Sequence, residues 1–194
     1  MSAAVFVDRD GVINELAPDP VSGRPESPLE PGPVALLPSV ADALRRLRGA
    51  GYLLVGVSNQ PAAAKGVVSA EQLEQVQARV LALLEREGVT LDAFRLCFHH
   101  PDGVDAALTR TCDCRKPAPG MLLDAARVFG IDLAASWMVG DTDGDVAAGA
   151  AAGCRTVLVE NPASAHKRSC EARPDGRVPD LVAAAELILR ADSR

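Results

Sequence analysis

Short apolar runs that stop abruptly at polar turns alternate along the chain with stretches whose apolar positions recur every three or four residues. The runs are Ala3–Val7, Tyr52–Val57, Phe94–Phe98, Ser136–Val139 and Arg155–Val159. Each is short and bounded by turn-forming residues, which predicts a buried strand. Ser39–Ala50 puts Val40, Ala43, Leu44 and Leu47 on one helical face and ends at Gly49 and Gly51. Ser69-Ala70-Glu71-Gln72 fits a capping box, with Ser69 as the cap and Gln72 reaching back, ahead of a long helix to about Glu87-Gly88. Further helices are expected from Pro119-Gly120 to Phe129-Gly130, over the Ala-rich Asp143–Gly153, and over Pro179–Ala191. Strands alternating with helices predict a three-layer, Rossmann-like α/β fold with a mostly parallel sheet covered on both faces.

Three segments break the alternation. Residues 15–33 carry Pro18, Pro20, Pro25, Pro28, Pro31 and Pro33, which neither continue a helix nor donate to a ladder, so an irregular loop is expected. Residues 97–114 form a loop rich in Cys, Asp and Pro, and residues 160–178 a polar loop. Composition adds limits. A chain of 194 residues, 48% hydrophobic, suits one domain over residues 1–194 with a proper core. Aromatics at 3% exclude a base-stacking platform, and a net charge of -6 argues against a polyanion-binding surface. No apolar run approaches the ~20 residues that span a bilayer. The first residues lack a basic region and meet charge at Asp8, so a cytoplasmic protein with no nucleic-acid or membrane partner is expected.

In a parallel sheet of this kind the chemistry sits at the carboxyl ends of the strands. Here those ends carry acids. Asp8 and Asp10 follow the first strand; like charges so close need a cation or a proton, and a hard divalent ion such as Mg²⁺ suits carboxylates. The alternative is an ordinary Asp/Gly turn. Asp141, Asp143 and Asp145 open a helix after the fourth strand; one would suffice as a cap, so two acidic strand ends holding one metal is the sharper reading. Ser58-Asn59-Gln60 offers a hydroxyl and amides to phosphate oxygens, or is a polar turn. Arg115-Lys116 can neutralise phosphate and carboxylate, or is a solvated pair.

Five cysteines, an odd number, fit a disulfide framework poorly. Cys97-Phe98-His99-His100 and Cys112-Asp113-Cys114 offer four zinc ligands in one loop of few apolar residues, with either histidine eligible. A closed Cys₃His set suits structural Zn²⁺; buried free thiols or a fortuitous disulfide are the alternatives. Cys154 reads as a small buried hydrophobe, Cys170 as an unpaired thiol in a polar tail. His166, Lys167 and Arg168 read as a solvated loop.

Val5-Phe6-Val7-Asp8-Arg9-Asp10-Gly11-Val12, Ser58, Lys116, and Gly140-Asp141 with Asp145 resemble, in order and spacing, the four motifs of the haloacid dehalogenase (HAD) superfamily of phosphotransferases. The resemblance covers about residues 4–160 and implies a fold of HAD type without a large cap. It implies Asp8 as nucleophile, forming an aspartyl-phosphate, and Asp10 as general acid and base. Ser58 and Lys116 would hold the phosphoryl oxygens. Mg²⁺ would sit on Asp8, Asp141 and the main chain of Asp10, with Asp145 orienting that shell. The zinc loop and Cys114-Arg115-Lys116-Pro117 narrow the likeness to the heptose-bisphosphate phosphatases, which implies His99 as the zinc ligand. It also implies Asn59, Gln60, Arg115 and Lys116 as substrate contacts, and a monomer acting on a small sugar phosphate in nucleotide-activated heptose synthesis. Histidinol-phosphate phosphatases share the first motif and a similar zinc loop. The non-catalytic alternative is a zinc-ordered binding module, which needs no Asp8 nucleophile.

Overall fold

The computed structural model describes residues 2–19, 22–169 and 171–192. Eight strands and five α-helices follow in the order β1 (Ala4–Val7), β2 (Ala17–Pro18), β3 (Pro25–Glu26), α1 (Val40–Gly49), β4 (Leu53–Asn59), α2 (Ala70–Arg86), β5 (Ala93–Cys97), α3 (Gly120–Phe129), β6 (Trp137–Gly140), α4 (Asp143–Ala152), β7 (Arg155–Val159), β8 (Gly176–Val178) and α5 (Leu181–Asp192). Six strands form one sheet in the order β5-β4-β1-β6-β7-β8, every neighbouring pair parallel.

Alternation along β1 builds both halves of the core. Val5 and Val7 point to one face and meet Leu44 and Leu47 of α1, Val76, Val80 and Leu84 of α2, and Leu181 and Ile188 of α5. Ala4 and Phe6 point to the other and meet Met121, Leu122 and Ala125 of α3 and Ala148 of α4. A strand buried on both sides reads as an unbroken apolar run, and so the five longer strands were visible in the sequence. The chain moves from β1 to β4 and β5 on one side and to β6, β7 and β8 on the other. The order therefore reverses at β1, the place where open parallel sheets hold ligands. No helix among the described residues is long and apolar enough to cross a membrane.

Two expected loops contain short strands. β2 and β3 pair antiparallel inside residues 15–33, and β8 adds an edge strand inside 160–178. Two or three residues carry no periodicity to detect, so only tertiary pairing reveals them. Ser69 caps α2 as expected, accepting from the Gln72 backbone at 3.1 Å. The Gln72 side chain does not close a capping box, however: its Nε2 donates to Leu29 O at 2.9 Å and ties α2 to the proline-rich segment. Cys154 is buried on the α3/α4 face, where burial pushes its thiol up to about 12. Cys170 lies outside the described residues.

Candidate active site

Asp8 leaves β1 with its backbone N–H held by Val139 O of β6 at 2.9 Å. That bond aims the first residue past the central strand at the first residues past its neighbour. One carboxylate oxygen from each of Asp8, Asp141 and Asp145 falls within 4.8 Å of the others, all three residues buried. Two glycines make the approach possible. A Cβ on Gly11, which has φ +86°, would stand 2.2 Å from Asp141 Oδ2, and one on Gly140 would stand 2.2 Å from Asp145 Cβ.

Lys116 enters this acidic group from the loop between β5 and α3. Its Nζ lies 2.8 Å from Asp8 Oδ1, 2.6 Å from Asp145 Oδ1 and 2.8 Å from Val57 O. Burial alone would depress the ammonium, but Asp145 and Asp8 outweigh it and hold Lys116 charged. Burial and then the Asp145 carboxylate push Asp8 up to about 8, against the pull of Lys116. The same two causes push Asp141 up to about 6. Asp145 Oδ2 accepts from the Thr142 N–H at 3.0 Å and its hydroxyl at 2.6 Å, which closes the start of α4. Asp145 thus serves as helix cap and lysine partner at once, whereas buried Asp141 Oδ2 has no hydrogen-bond partner among the described residues. A buried acceptor without a partner, on a residue of a carboxylate cluster, is what a hard cation would satisfy.

Asp10 is not part of that cluster. The sequence argument that Asp8 and Asp10 need a shared cation is corrected here, because Arg9 supplies the countercharge for Asp10. Fully buried, Arg9 donates from Nε to Asp10 Oδ1 and from a terminal nitrogen to Oδ2, both at 3.0 Å, and to Gln77 Oε1 of α2 at 3.2 Å. Burial would raise the Asp10 carboxyl; Arg9, with help from Asn14 and Ser27, takes it below the ordinary value instead. Nothing in the sequence marked Arg9, since arginine is rarely buried and its partner is its own neighbour.

The Ser58-Asn59-Gln60 turn also works differently from expectation. Gln60 is buried, and its Nε2 donates to Asp10 Oδ2 at 2.7 Å and to Ser58 Oγ at 3.0 Å. Asn59 borders the cavity, but both ends of its amide hold the Lys116 backbone, at 2.9 and 3.0 Å. The two amides thus fix Asp10, Ser58 and Lys116 relative to one another. Ser58 Oγ accepts from Gln60 and keeps its own proton for another acceptor.

These groups line a cavity of about 230 Å³, with Arg115 from the loop after β5 and Lys167 from the segment after β7. The expected solvated loop at His166–Arg168 is corrected accordingly. Lys167 borders the cavity, and Arg168 donates to Asp141 O at 3.0 Å and Ser164 Oγ at 2.8 Å.

Below the cavity, Cys97, His99, Cys112 and Cys114 converge. Their sulfur–sulfur distances of 3.1 to 3.7 Å are far beyond the ~2.05 Å of a disulfide. His99 Nδ1 lies 3.3 Å from Cys114 Sγ and 3.7 Å from Cys97 Sγ. The rival His100 turns away and accepts from the Asp102 N–H at 3.1 Å. Four soft or borderline donors around one point match a tetrahedral zinc set.

Fold and site together define a phosphomonoester hydrolase: a buried carboxylate at the switch point, a lysine between acids, and a cavity of mixed charge. The HAD-hydrolase-like family profile matches residues 113–184. The D-glycero-β-D-manno-heptose-1,7-bisphosphate 7-phosphatase of Yersinia pestis is 38% identical over 162 residues, 80% of this chain and 79% of its own length. Its counterpart in Photorhabdus laumondii is 40% identical over 144 residues, 71% of this chain and 69% of its own. The solved structure of D,D-heptose 1,7-bisphosphate phosphatase from B. bronchiseptica, complexed with magnesium and phosphate, covers 97% of this chain and 99% of its own. It superposes with a TM-score of 0.74 at 31% identity. The chain belongs to the HAD superfamily of phosphatases, in the family of these relatives.

Proposed function

We propose that the chain is a Mg²⁺-dependent phosphatase that removes the 7-phosphate of D-glycero-D-manno-heptose 1,7-bisphosphate. The observation that carries the chemistry is Lys116 Nζ between Asp8 and Asp145, beside an unpartnered Asp141 Oδ2. The substrate rests on the relatives, whose likeness extends over about four-fifths of the chain.

In this reading Asp8 attacks phosphorus in line and forms an aspartyl-phosphate, while the leaving sugar oxygen takes a proton from Asp10. Water then attacks the same phosphorus and gives its proton to Asp10, which frees phosphate and restores Asp8. The Arg9 pair favours Asp10 as the base of this second step. For the first step, the negative charge of an arriving phosphate raises its hold on a proton. Ser58 donates to, and Lys116 neutralises, phosphoryl oxygens as charge redistributes. Asp8, Asp141 and the Asp10 carbonyl, with Asp145 behind them, would hold Mg²⁺, which would neutralise charge as the phosphoryl group is transferred. Zn²⁺ fits Cys97, His99, Cys112 and Cys114, where it orders the loop that delivers Arg115 and Lys116. The whole of residues 1–194 acts as one domain and as a cytoplasmic monomer in nucleotide-activated heptose synthesis.

The test is phosphate release from both anomers of heptose 1,7-bisphosphate and from histidinol phosphate, side by side with Asp8→Asn. The expected result is Mg²⁺-dependent release from C7 of the heptose, absent in Asp8→Asn. Preference for histidinol phosphate would overturn the substrate, and full activity of Asp8→Asn would overturn the chemistry.

A further inference from the structure

Glu26 of β3 forms two ion pairs across the cavity mouth. Its carboxylate lies 2.6 Å from Lys167 Nζ and 3.2 Å from His166 Nε2, both in the segment after β7. Glu26 and Lys167 border the same cavity as Asp8. Two chain segments from different parts of the fold thus meet at the lining of this cavity through one carboxylate and the cations opposite it.

Three cations, Arg115, Lys116 and Lys167, stand among the carboxylates that line the cavity. Lys116, on Asp8 and Asp145, is the cation already assigned to the transferred phosphoryl group. Arg115 and Lys167 remain, on segments that flank β1 from opposite sides: one follows β5, the other β7. The Glu26–Lys167 pair is partly solvated, with side chains 41% and 24% exposed. Pairs in such a setting are weakly held and exchange readily for a better anion. A phosphate dianion, with more charge and more acceptor oxygens than a carboxylate, is such an anion.

We propose that Lys167 is a specificity-determining residue that binds the second phosphate of the substrate, and that Glu26 is the internal anion this phosphate displaces. The inference rests on the bisphosphate reading above and adds the group that distinguishes a bisphosphate from a monoester.

The experiment compares kcat/KM for heptose 1,7-bisphosphate with kcat/KM for heptose 7-phosphate, which is the same ester without the second phosphate. In Lys167→Gln the ratio of the two is expected to fall about tenfold, the size of one lost charge-assisted contact, while Lys167→Arg keeps most of it. In Glu26→Gln the ratio is expected to rise, mainly through a lower KM for the bisphosphate, because the competing anion is gone. A ratio in Lys167→Gln within twofold of the parent overturns the proposal. A fall in Glu26→Gln as large as in Lys167→Gln also overturns it, since the pair would then be a fixed wall. A parent enzyme inactive on both heptose esters overturns the bisphosphate reading itself, and this inference with it.

Discussion

Asp8 is the residue on which the electrostatics of the site converge. Its carboxyl is pushed from the ordinary 3.8 up to about 8 by burial and by the neighbouring acids. A proton on Asp8 therefore stabilises the metal-free fold. That contribution is complete below about pH 4 and is lost as pH rises through 8. Asparagine never ionises and loses nothing over that range. In protein kept free of Mg²⁺ with its zinc in place, the Tm of Asp8→Asn relative to the parent should climb by several degrees from pH 5 to pH 8. A difference flat with pH, read by calorimetry, would contradict the assignment. Of the groups around Asp8, the acids were legible because they follow strand ends, and Lys116 through its place in the order of the family motifs. Arg9, Gln60 and Asn59 were not, because their roles depend on partners across the sheet: Gln77 of α2, Asp10 and the Lys116 backbone.

At the scale of elements, the loop between β5 and α3 does two jobs. It carries three of the four candidate zinc ligands, His99, Cys112 and Cys114, the last of them directly before Arg115 and Lys116, and Asn59 of β4 clamps the Lys116 backbone. Few apolar side chains support this loop, so a zinc ion on these ligands, as proposed, would supply order that packing does not. Elemental analysis should find one zinc per chain. Cys114→Ser should lose it, melt several degrees lower, and lose activity by about a hundredfold, the effect of moving a catalytic group by roughly 1 Å. Zinc-free protein with undiminished activity would contradict this account. The three cysteines were visible from spacing, whereas the choice of His99 over His100 rested on the family resemblance. The meeting of β3 with residues 162–167 was not, because a two-residue strand and a polar turn carry no pattern until they touch.

At the scale of the molecule, an entirely parallel six-stranded sheet reverses its order at β1 and gathers Asp8, Ser58 and Asp141 at one edge. The acidic balance of the chain, -6 overall, is matched by a site that concentrates carboxylates and needs cations before it can take a phosphate. The alternation of apolar runs and amphipathic helices was enough to foresee this architecture, since buried parallel strands leave unbroken apolar runs. The edge strand β8, only Gly176–Val178, was too short to foresee. The central claim is covalent: the phosphoryl group passes through Asp8. The most direct measurement is acid quench of Asp10→Asn, supplied with Mg²⁺ and heptose 1,7-bisphosphate, followed by mass spectrometry of the peptide that carries residue 8. The account predicts a phosphoryl adduct on Asp8, formed slowly without the Asp10 proton and trapped because the base for the second step is missing. Turnover with no adduct on Asp8, or an adduct on another residue, would contradict it.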